Sequence, residues 1–380
     1  MNIGYFTDVY DPECNGVVFS LHQFEDELEK RGNLVYVFAP KNRRGFKDTR
    51  PRVTRFPSIP SFMYPGIRLA MPGLPTLVTK IKKYNLDIIH SHTPVLGPWA
   101  EFVSLRLGIP HVHTYHTMID EYVAIYVPGV KKWNKKVMSR ITKTFLNRTD
   151  YVVAPSQKVC KSLKKLGVTT PIEIIPTGVQ LEEFTDIPAG KFRAAHKIKA
   201  DVPIVLYIGR VAEEKNLNQL LKAFPLIKKK RPDAVLVIGG DGPYLDELKK
   251  QAQKLKIADS TIFAGYLKRD GVAELMRDSS VFVFPSLSDT QGLVLLEAAA
   301  AGLPLVACEG DIAPYLEPGR NGLLSKNSPK DLSTKVDDIL KDPAICARMG
   351  RSSLVIARDY TAEKQADKML NLYKRLTLSE

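Results

Sequence analysis

The chain of 380 residues predicts an α/β protein with two doubly wound parallel sheets in tandem. Three observations support this fold class: short apolar runs alternate with longer amphipathic segments, the alternation occurs twice, and a polar interval separates the two series. A hydrophobic content of 44% allows a sizeable core, and the length suits two domains. No apolar run approaches the roughly 20 residues that span a bilayer, which excludes a polytopic membrane protein.

The first series begins at the N-terminus. NIGYF at 2–6 predicts a buried strand, and GVVFSLHQFEDELEKR predicts a helix that Gly32 ends. Further short apolar runs bounded by turn residues predict strands at 34–39, 87–90, 110–114 and 151–154. Because strands separated by helices form βαβ units, this half of the chain predicts a parallel sheet.

The second series begins after residue 200. Its amphipathic segments predict helices at 216–230 and 244–255, and its apolar runs predict strands at 203–208, 234–238, 261–264, 281–285 and 304–307. The interval 178–199 is polar and irregular and predicts a hinge. We therefore expect domains at 1–178 and 179–360, and a helix within 361–380 that caps the second sheet or crosses back to the first domain. Ligands bind at the carboxyl ends of such strands, so a cleft between two facing domains is the expected site.

The charge balance favours anionic ligands. Lys and Arg number 55 against 41 Asp and Glu, so the net charge is 55 − 41 = +14. Such a protein attracts nucleotides, nucleic acid or an acidic lipid surface. The four cysteines are widely spaced, which fits a reducing compartment better than a zinc site or a CxxC pair. The first residues, MNIGYFTDVYDPE, have no basic n-region or long apolar run, so we expect no secretory signal.

Two glycine-containing loops follow strands of the second series. GRVAEEKN at 209–216 places Arg210 and Lys215 near a helix N-terminus, which predicts a diphosphate site. The alternative is a solvated loop with two surface cations. GGDGP at 239–243 permits close backbone approach to a ligand, but a plain tight turn explains it better.

The segment SLSDTQGLVLLE carries two acids eight residues apart. Gly292 and Leu293 open an apolar helix, and their backbone N–H groups stabilise an anion. Asp289 precedes the helix and Glu297 lies more than one turn into it, so the carboxylates address opposite ends of one long ligand. The alternative makes Asp289 or Ser288 a helix cap and Glu297 an exposed residue. Because Glu297 lies among leucines and alanines, where a buried acid needs a partner, we favour the functional interpretation.

Histidines cluster in the segment PHVHTYHTMIDEY. A histidine on the loop after a strand can bond a sugar hydroxyl or a phosphate, or transfer a proton. A metal site is the competing interpretation, but His111 and His113 alternate along the strand and no acidic ligand set has a spacing such as HExxH. For any one of these histidines, a structural hydrogen bond is the alternative. We expect no metal site.

The stretch KKWNKKVMSRITKTFLNR at 131–148 holds seven basic residues and no acidic one. At 100° per residue, one helical stripe contains Trp133, Val137, Ile141 and Phe145. The basic residues assigned to the docking surface are six of these seven: Lys131, Lys132, Lys135, Lys136, Arg140 and Lys143. This pattern is typical of a helix in an anionic membrane interface, and a core helix with a solvated basic face is the alternative. The apolar stretch at 61–73, broken by Pro and Gly, predicts an acceptor-binding lip.

Taken together, these segments resemble the retaining GT-B glycosyltransferases of family 4 over essentially the whole chain. The order of the family is kept: a glycine loop ending at Gly16, the histidine segment, IPTGV at 175–179, GRVAEEKN, GGDGP, then SDTQGLVLLEAAAAGLPLVA. More narrowly, YFTDVYDPECNGVV, HTYHT and SDTQGL resemble bacterial diacylglycerol α-glucosyltransferases. The resemblance implies the GT-B fold, in which two Rossmann-like domains face each other across a cleft.

The resemblance implies donor-binding roles for four side chains. Arg210 and Lys215 hold the donor diphosphate, and Glu297, the second acid of the EX7E motif, binds the ribose hydroxyls. Asp289 occupies the position of the first acid and contacts the sugar ring. The family usually has Glu at this position, so the shorter side chain of Asp289 changes how the sugar is held.

Four further residues match the family pattern. Gly292 and Leu293 give backbone N–H groups to sugar or phosphate, and Gly16 lets the N-terminal loop approach the diphosphate. His116 lies near the transferred sugar and touches its hydroxyl or the developing charge. IPTGV places Thr177 where the family usually has Asn.

The resemblance also implies a mechanism with retention of the anomeric configuration. The acceptor attacks from the front face, and the departing phosphate assists deprotonation of its hydroxyl. The alternative is a covalent intermediate on Asp289. Because cationic side chains and helix N–H groups stabilise the charge that builds on the diphosphate, we expect no obligatory divalent metal or other cofactor.

The main hypothesis is transfer of glucose from UDP-glucose to the free hydroxyl of diacylglycerol at the cytoplasmic face of the cell membrane, with the basic stripe docked on anionic lipids. One alternative is another donor sugar (galactose, mannose or N-acetylglucosamine) or another acceptor. A second, from a different class, is a nucleotide-sugar-binding protein without turnover. Nucleic acid is not an expected partner, because Asp289 and Glu297 repel a phosphate backbone.

Overall fold

The computed structural model describes residues 1–13, 15–42, 46–60, 68–116 and 132–378, with the backbone alone described at 74–76 and 132–135. The chain divides into two compact units. Unit 1 comprises Met1–Gly178 and Ala362–Glu380, and unit 2 comprises Val179–Thr361. Each unit is built around its own parallel sheet, as the two series of apolar runs predict.

The main sheet of unit 1 has seven strands among the described residues: β1 Asn2–Phe6, β2 Leu34–Pro40, β3 Val53–Phe56, β6 Ile88–Ser91, β7 His111–Thr114, β8 Tyr151–Ala154 and β9 Ile172–Ile174. A separate antiparallel pair consists of β4 Ser58–Pro60 and β5 Arg68–Ala70. The main sheet has the order β3-β2-β1-β6-β7-β8-β9, and all its strands run parallel. The order reverses between β1 and β6, which is where doubly wound sheets bind ligands.

Helices cover both faces of this sheet. They are α1 Gly16–Lys30, α2 Leu74–Lys82, α3 Leu96–Leu107, α4 Lys132–Leu146 and α5 Gln157–Leu166. On one face Tyr5 of β1 packs in a cluster with Leu21 and Phe24 of α1. On the other face Phe6 packs with Leu96 and Ala100 of α3. Because successive strand residues point to opposite faces and both faces are covered, the strands read as continuous apolar runs.

The sheet of unit 2 consists of β10 Ile204–Ile208, β11 Val235–Gly239, β12 Thr261–Gly265, β13 Val281–Phe284, β14 Leu305–Ala307 and β15 Gly322–Leu324. These strands run parallel in the order β12-β11-β10-β13-β14-β15. This is the Rossmann order, and it reverses between β10 and β13. The loops that follow β10 and β13 are therefore the expected place for a ligand.

The helices of unit 2 are α6 Glu182–Thr185, α7 Lys191–Ala195, α8 Leu217–Lys230, α9 Leu245–Lys254, α10 Arg269–Asp278, α11 Leu293–Ala300, α12 Pro329–Leu340 and α13 Pro343–Ala357. The interval 178–199, which reads as an irregular hinge, instead contains α6 and α7. Phe184 and Phe192 on these helices belong to the core of unit 2. Two buried aromatic side chains thus order a segment whose composition is polar.

The C-terminal helix α14, Ala362–Thr377, belongs to unit 1. Its residues Ala366, Met369 and Tyr373 are buried in the cluster that contains α1. The Tyr373 hydroxyl makes a hydrogen bond with Nδ1 of the buried His90 on β6. Among the described helices, none is both long and apolar enough to cross a membrane.

Candidate functional site

Two glycine loops at the carboxyl edge of the unit 2 sheet lie against each other. A Cβ atom at Gly240 would lie 2.0 Å from the carbonyl oxygen of Gly209, and one at Gly242 would lie 2.2 Å from that of Val211. The N–H of Gly209 donates to Gly239 over 3.0 Å, which closes the contact. The glycines of GGDGP therefore serve close packing between two loops, beyond the plain tight turn that the sequence indicates.

Replacing Gly240 by Ala tests this packing. Gly240 has φ +118° and no room for a side chain, so we expect G240A to lower the free energy of unfolding by about 3 kcal/mol. Gly190 provides the matched control, because its φ of +103° is similarly unfavourable but no heavy atom lies within 4 Å of the added Cβ. We expect G190A to cost about 1 kcal/mol. Equal losses in chemical denaturation would contradict the role of the loop contact.

The loop after β10 carries the two predicted cations. Arg210 forms an ion pair with Glu214, and its side chain remains 47% exposed. Lys215 is more enclosed: its Nζ lies 2.6 Å from Oδ1 of Asp289, and each side chain of this pair is 18% exposed. The structure therefore brings together Lys215 and Asp289, which are 74 residues apart in the chain.

Hydrogen bonds hold the loop after β10 to the loop after β13. The Asn216 Nδ2 group donates to the carbonyl of Pro285 over 3.0 Å, and the Ser288 hydroxyl donates to the carbonyl of Glu214 over 3.1 Å. Because β10 and β13 are neighbours in the sheet, both loops start at the same edge. Hydrogen bonds from the adjacent Asn216 and Ser288 side chains thus hold Lys215 and Asp289 in position.

Helix α11 begins next to this pair in the sequence. Gly292 precedes it in the left-handed region, with φ 62° and ψ 50°, and no side chain caps the helix. Asp289 and Ser288 are not its cap, so that alternative is wrong. The buried Tyr315 hydroxyl lies 2.7 Å from the carbonyl oxygens of Gln291 and Gly292 and orients this turn. The first N–H groups of α11 have no acceptor within the helix, which suits an anion.

Glu297 on α11 is buried, with 5% of the residue exposed, so its interpretation as a surface residue is wrong. It forms an ion pair with Arg269, whose guanidinium also contacts Glu183. Burial raises the pKa of Glu297, and the charge of Arg269 opposes that shift. The sequence indicates that Glu297 needs a charged partner. It does not indicate that Arg269 is that partner, because the cluster joins residues of three separate helices, α6, α10 and α11.

The histidines of unit 1 form a buried hydrogen-bonded cluster. The Ser91 hydroxyl lies 2.7 Å from ring nitrogens of both His111 and His113, and His90 Nε2 lies 2.7 Å from the Thr114 hydroxyl. His90, His111 and His113 therefore make structural hydrogen bonds within the core of unit 1. No group of three or more His, Cys, Asp or Glu residues in the described part of the chain is arranged to hold a metal ion.

His116 lies at the edge of this cluster, after β7. Its Nε2 lies 3.2 Å from Nδ1 of His92, and burial lowers its pKa to about 4. The imidazole is therefore neutral near neutral pH, so it can accept or donate a hydrogen bond without carrying charge. His92 is the second residue of this pair, and the sequence analysis assigns it no role.

Gly16 is the first residue of α1 in unit 1 and is exposed. A Cβ atom at this position would meet nothing within 4 Å. The preceding Asn15 side chain accepts the N–H groups of Val17 and Val18 at 3.0 and 3.1 Å. The start of α1 is thus capped by its own chain. Thr177, the second departure from the family pattern, donates from its hydroxyl to Ser20 over 2.8 Å.

The apolar residues of the predicted docking stripe on α4 do not all face the same surroundings. Val137 and Ile141 of α4 are 44% and 56% exposed, and Lys136, Arg140 and Lys143 of the same helix are exposed as well. Phe145 instead turns toward the core, where its ring centroid lies 5.0 Å from that of His113. The prediction of one apolar stripe from Trp133 to Phe145 is therefore wrong at Phe145. Lys131 and the side chains of Lys132, Trp133 and Lys135 lie outside the described residues.

Two parallel sheets in Rossmann order, with a cation, an acid and an open helix N-terminus at the edge of the second, define a GT-B glycosyltransferase. Family models agree: one described as Glycosyltransferase Family 4 matches residues 14–183, and one described as Glycosyl transferases group 1 matches residues 189–353. The chain belongs to glycosyltransferase family 4.

Two relatives align with most of the chain. The alpha-monoglucosyldiacylglycerol synthase of Streptococcus pneumoniae is 35% identical over 332 residues, covering 86% of this chain and 73% of that protein. The protein of the same name from Acholeplasma laidlawii is 28% identical over 389 residues, covering 98% and 96%.

Solved structures share the fold. A sucrose-phosphate synthase from Thermosynechococcus elongatus has a TM-score of 0.80 at 23% identity, with full coverage of both chains. Anabaena HepE in complex with UDP-glucose has a TM-score of 0.74 at 18% identity, covering 98% of this chain and 100% of that one. At these identities the likeness extends to the fold alone.

Proposed function

We propose that the chain transfers glucose from UDP-glucose to the free hydroxyl of diacylglycerol, with retention, at the cytoplasmic face of the membrane. The main observation in support of a sugar-nucleotide donor is the Lys215–Asp289 pair. This pair joins the loops after β10 and β13 and precedes the N-terminus of α11. The names of the two relatives support diacylglycerol as acceptor and glucose as the transferred sugar. The complex of HepE with UDP-glucose supports a uridine donor.

The leaving diphosphate is the group that needs stabilisation. Lys215 supplies an ammonium, Arg210 a guanidinium, and Gly292 and Leu293 the N–H groups of a helix start. Donors aimed at developing charge lower the barrier without a metal ion, so we propose that donor binding needs none. Asp289 then contacts the sugar ring from its place beside Lys215.

The proposal gives three other residues contacts with the bound donor. Glu297 binds the ribose hydroxyls, Gly16 lets its loop approach the diphosphate, and His116 contacts a hydroxyl of the transferred sugar. Because burial lowers the pKa of His116 to about 4, the residue acts as a neutral hydrogen-bonding group. The acceptor hydroxyl loses its proton to the departing phosphate in a front-face reaction.

An assay with radiolabelled UDP-glucose and vesicles tests the substrate pair. The vesicles contain diacylglycerol at several contents of anionic lipid, and mass spectrometry identifies the glycolipid. We expect monoglucosyl-diacylglycerol with α configuration, in the presence or absence of a chelator. Product from UDP-galactose or GDP-mannose alone, or no glucolipid at any lipid composition, would overturn the donor or the acceptor proposed here.

We further propose that α4 docks on anionic lipid. The exposed Val137 and Ile141 lie beside Lys136 and Arg140, which joins apolar groups to positive charge as a membrane interface requires. Each basic residue near an anionic surface contributes about 1 kcal/mol, so charge reversal at two positions has a large effect.

The double variant K136E/R140E is expected to lower the partition coefficient on anionic vesicles by at least about tenfold in a sedimentation assay. K249E/K250E is the matched control, since it makes the same change in charge at exposed positions of α9 in unit 2. We expect this control to sediment nearly as the parent chain does. If both variants lose binding equally, total charge rather than α4 determines docking.

A further inference from the structure

Arg269, at the start of α10, is held between two carboxylates of unit 2. Its Nε lies 2.7 Å and its Nη2 lies 2.6 Å from Oε2 of Glu183 on α6. Its Nη1 donates to Oε1 of Glu297 on α11. The guanidinium also lies over the Phe184 ring, 4.9 Å from the ring centroid. Two acids and an aromatic face thus fix the direction in which this cation points.

Glu297 is engaged through one oxygen only. Arg269 Nη1 binds Oε1, and no hydrogen bond within the described part of the chain involves Oε2. The side chain is 7% exposed, so a carboxylate here depends on a nearby cation for its charge. Such a group is an oriented acceptor with one oxygen still available, which suits a ligand that offers hydroxyl donors.

We propose that Arg269 is a positioning residue for Glu297: it holds the carboxylate so that Oε2 accepts from the vicinal hydroxyls of a nucleotide ribose, and Glu183 orients Arg269 in turn. This inference rests on the proposed function, because it takes the ligand to be a sugar nucleotide. The inference adds one requirement to ribose binding by Glu297. Recognition of the ribose also depends on the guanidinium of Arg269, although the ribose does not contact that group.

A purely structural role would predict something different. A buried ion pair adds little net stability compared with apolar side chains of the same size, so stability alone is a weak reason for three charged residues at this position. If the cluster served folding only, removing Arg269 would weaken all nucleotides equally or unfold the chain. If Arg269 positions Glu297, its removal affects ligands that have the ribose hydroxyls more than those that lack them.

The test compares binding of UDP and 2′,3′-dideoxyuridine diphosphate by calorimetry. For the parent chain we expect UDP to bind at least about tenfold more tightly, since hydrogen bonds to a charged acceptor are lost with the hydroxyls. In R269Q the ratio should fall to within about twofold, and R269K should recover part of it because the charge returns without the fork geometry. E183Q should give an intermediate ratio.

The control is R277Q, which removes an arginine from the same helix without touching Glu297. Its ratio should match that of the parent chain. An unchanged ratio in R269Q overturns the inference, whereas failure of the parent chain to bind UDP overturns the proposed function instead. Should R269Q fail to fold, E183Q and R269K decide: a reduced ratio supports the positioning role, and an unchanged ratio excludes it.

Discussion

Replacing Lys215 by Ala is expected to lower kcat/KM for glucosyl transfer by about 10²- to 10³-fold, the usual effect of losing one group that stabilises developing charge. Lys215 is the more enclosed of the two cations in its loop, with 18% of its side chain exposed against 47% for Arg210. Fewer waters compete for its charge, so its interaction with the leaving diphosphate is the stronger one. Transfer rates at saturating diacylglycerol, with varied UDP-glucose, measure the effect.

The controls for this prediction separate charge from fold. K215R keeps a cation and should recover much of the activity, while K249A on α9 removes an exposed lysine and should leave activity unchanged. The unfolding midpoint of K215A should stay near that of the parent chain, since a partly exposed ion pair contributes roughly 1 kcal/mol or less. A kcat/KM of K215A within about threefold of the parent value would contradict the proposed role of Lys215.

Acidification to about pH 5.5 is expected to destabilise unit 1 by several kcal/mol. The buried residues concerned are His90, His92, His111 and His113, and burial lowers the pKa of each; that of His111 falls to about 3. The unfolded chain binds these protons below a pH of about 6.5 and the folded chain does not, so the free energy of unfolding falls as the pH drops. Each histidine contributes about 1.4 kcal/mol at that pH.

Two buried acids of unit 1, Asp8 and Glu25, act in the opposite direction, because burial raises the pKa of each. Burial raises the pKa of Glu25 to about 7, so its folded form takes up a proton as the pH falls toward that value and offsets part of the loss. The four histidines outnumber the two acids, and the net change remains destabilising. Replacing Glu25 by Gln should therefore deepen the loss of stability between neutral and acidic pH.

Tryptophan emission provides the measurement. Both tryptophans, Trp99 and Trp133, belong to unit 1, so their emission reports on that unit alone. We expect the urea midpoint followed by tryptophan emission to fall between about pH 7.5 and 5.5, and to fall further than the midpoint followed by circular dichroism, which includes unit 2. A midpoint that does not change with pH would show that the histidines titrate normally in the folded chain.

Periodicity predicted the strands well. NIGYF and YVVA became strands at the predicted residues, and PIVLYI differs by one residue at its start. A strand that is buried on both faces is a continuous apolar run, so its own residues show where it begins and ends. Short strands with mixed composition, such as β4 and β5, gave no such signal because their pairing depends on residues elsewhere.

The candidate site was only partly accessible from the sequence. The segments GRVAEEKN and SDTQGLVLLE mark the loops after β10 and β13, since glycine and charge directly follow an apolar run. Neither segment shows that Lys215 pairs with Asp289, nor that Arg269 reaches Glu297. On α4 the helical period predicted that Phe145 shares an exposed stripe with Val137 and Ile141. In the structure Phe145 packs against the core, whereas Val137 and Ile141 are exposed.

The sequence by itself determined the alternation of strands and helices, the order of the family's segments and the loops that hold the charged side chains. These properties depend on neighbouring residues and on backbone preferences within a few turns. Only the tertiary structure decided which acid meets which cation and which side of α4 faces solvent. Those contacts join positions far apart in the chain, and they follow from the order of strands in the sheets, which no local pattern specifies.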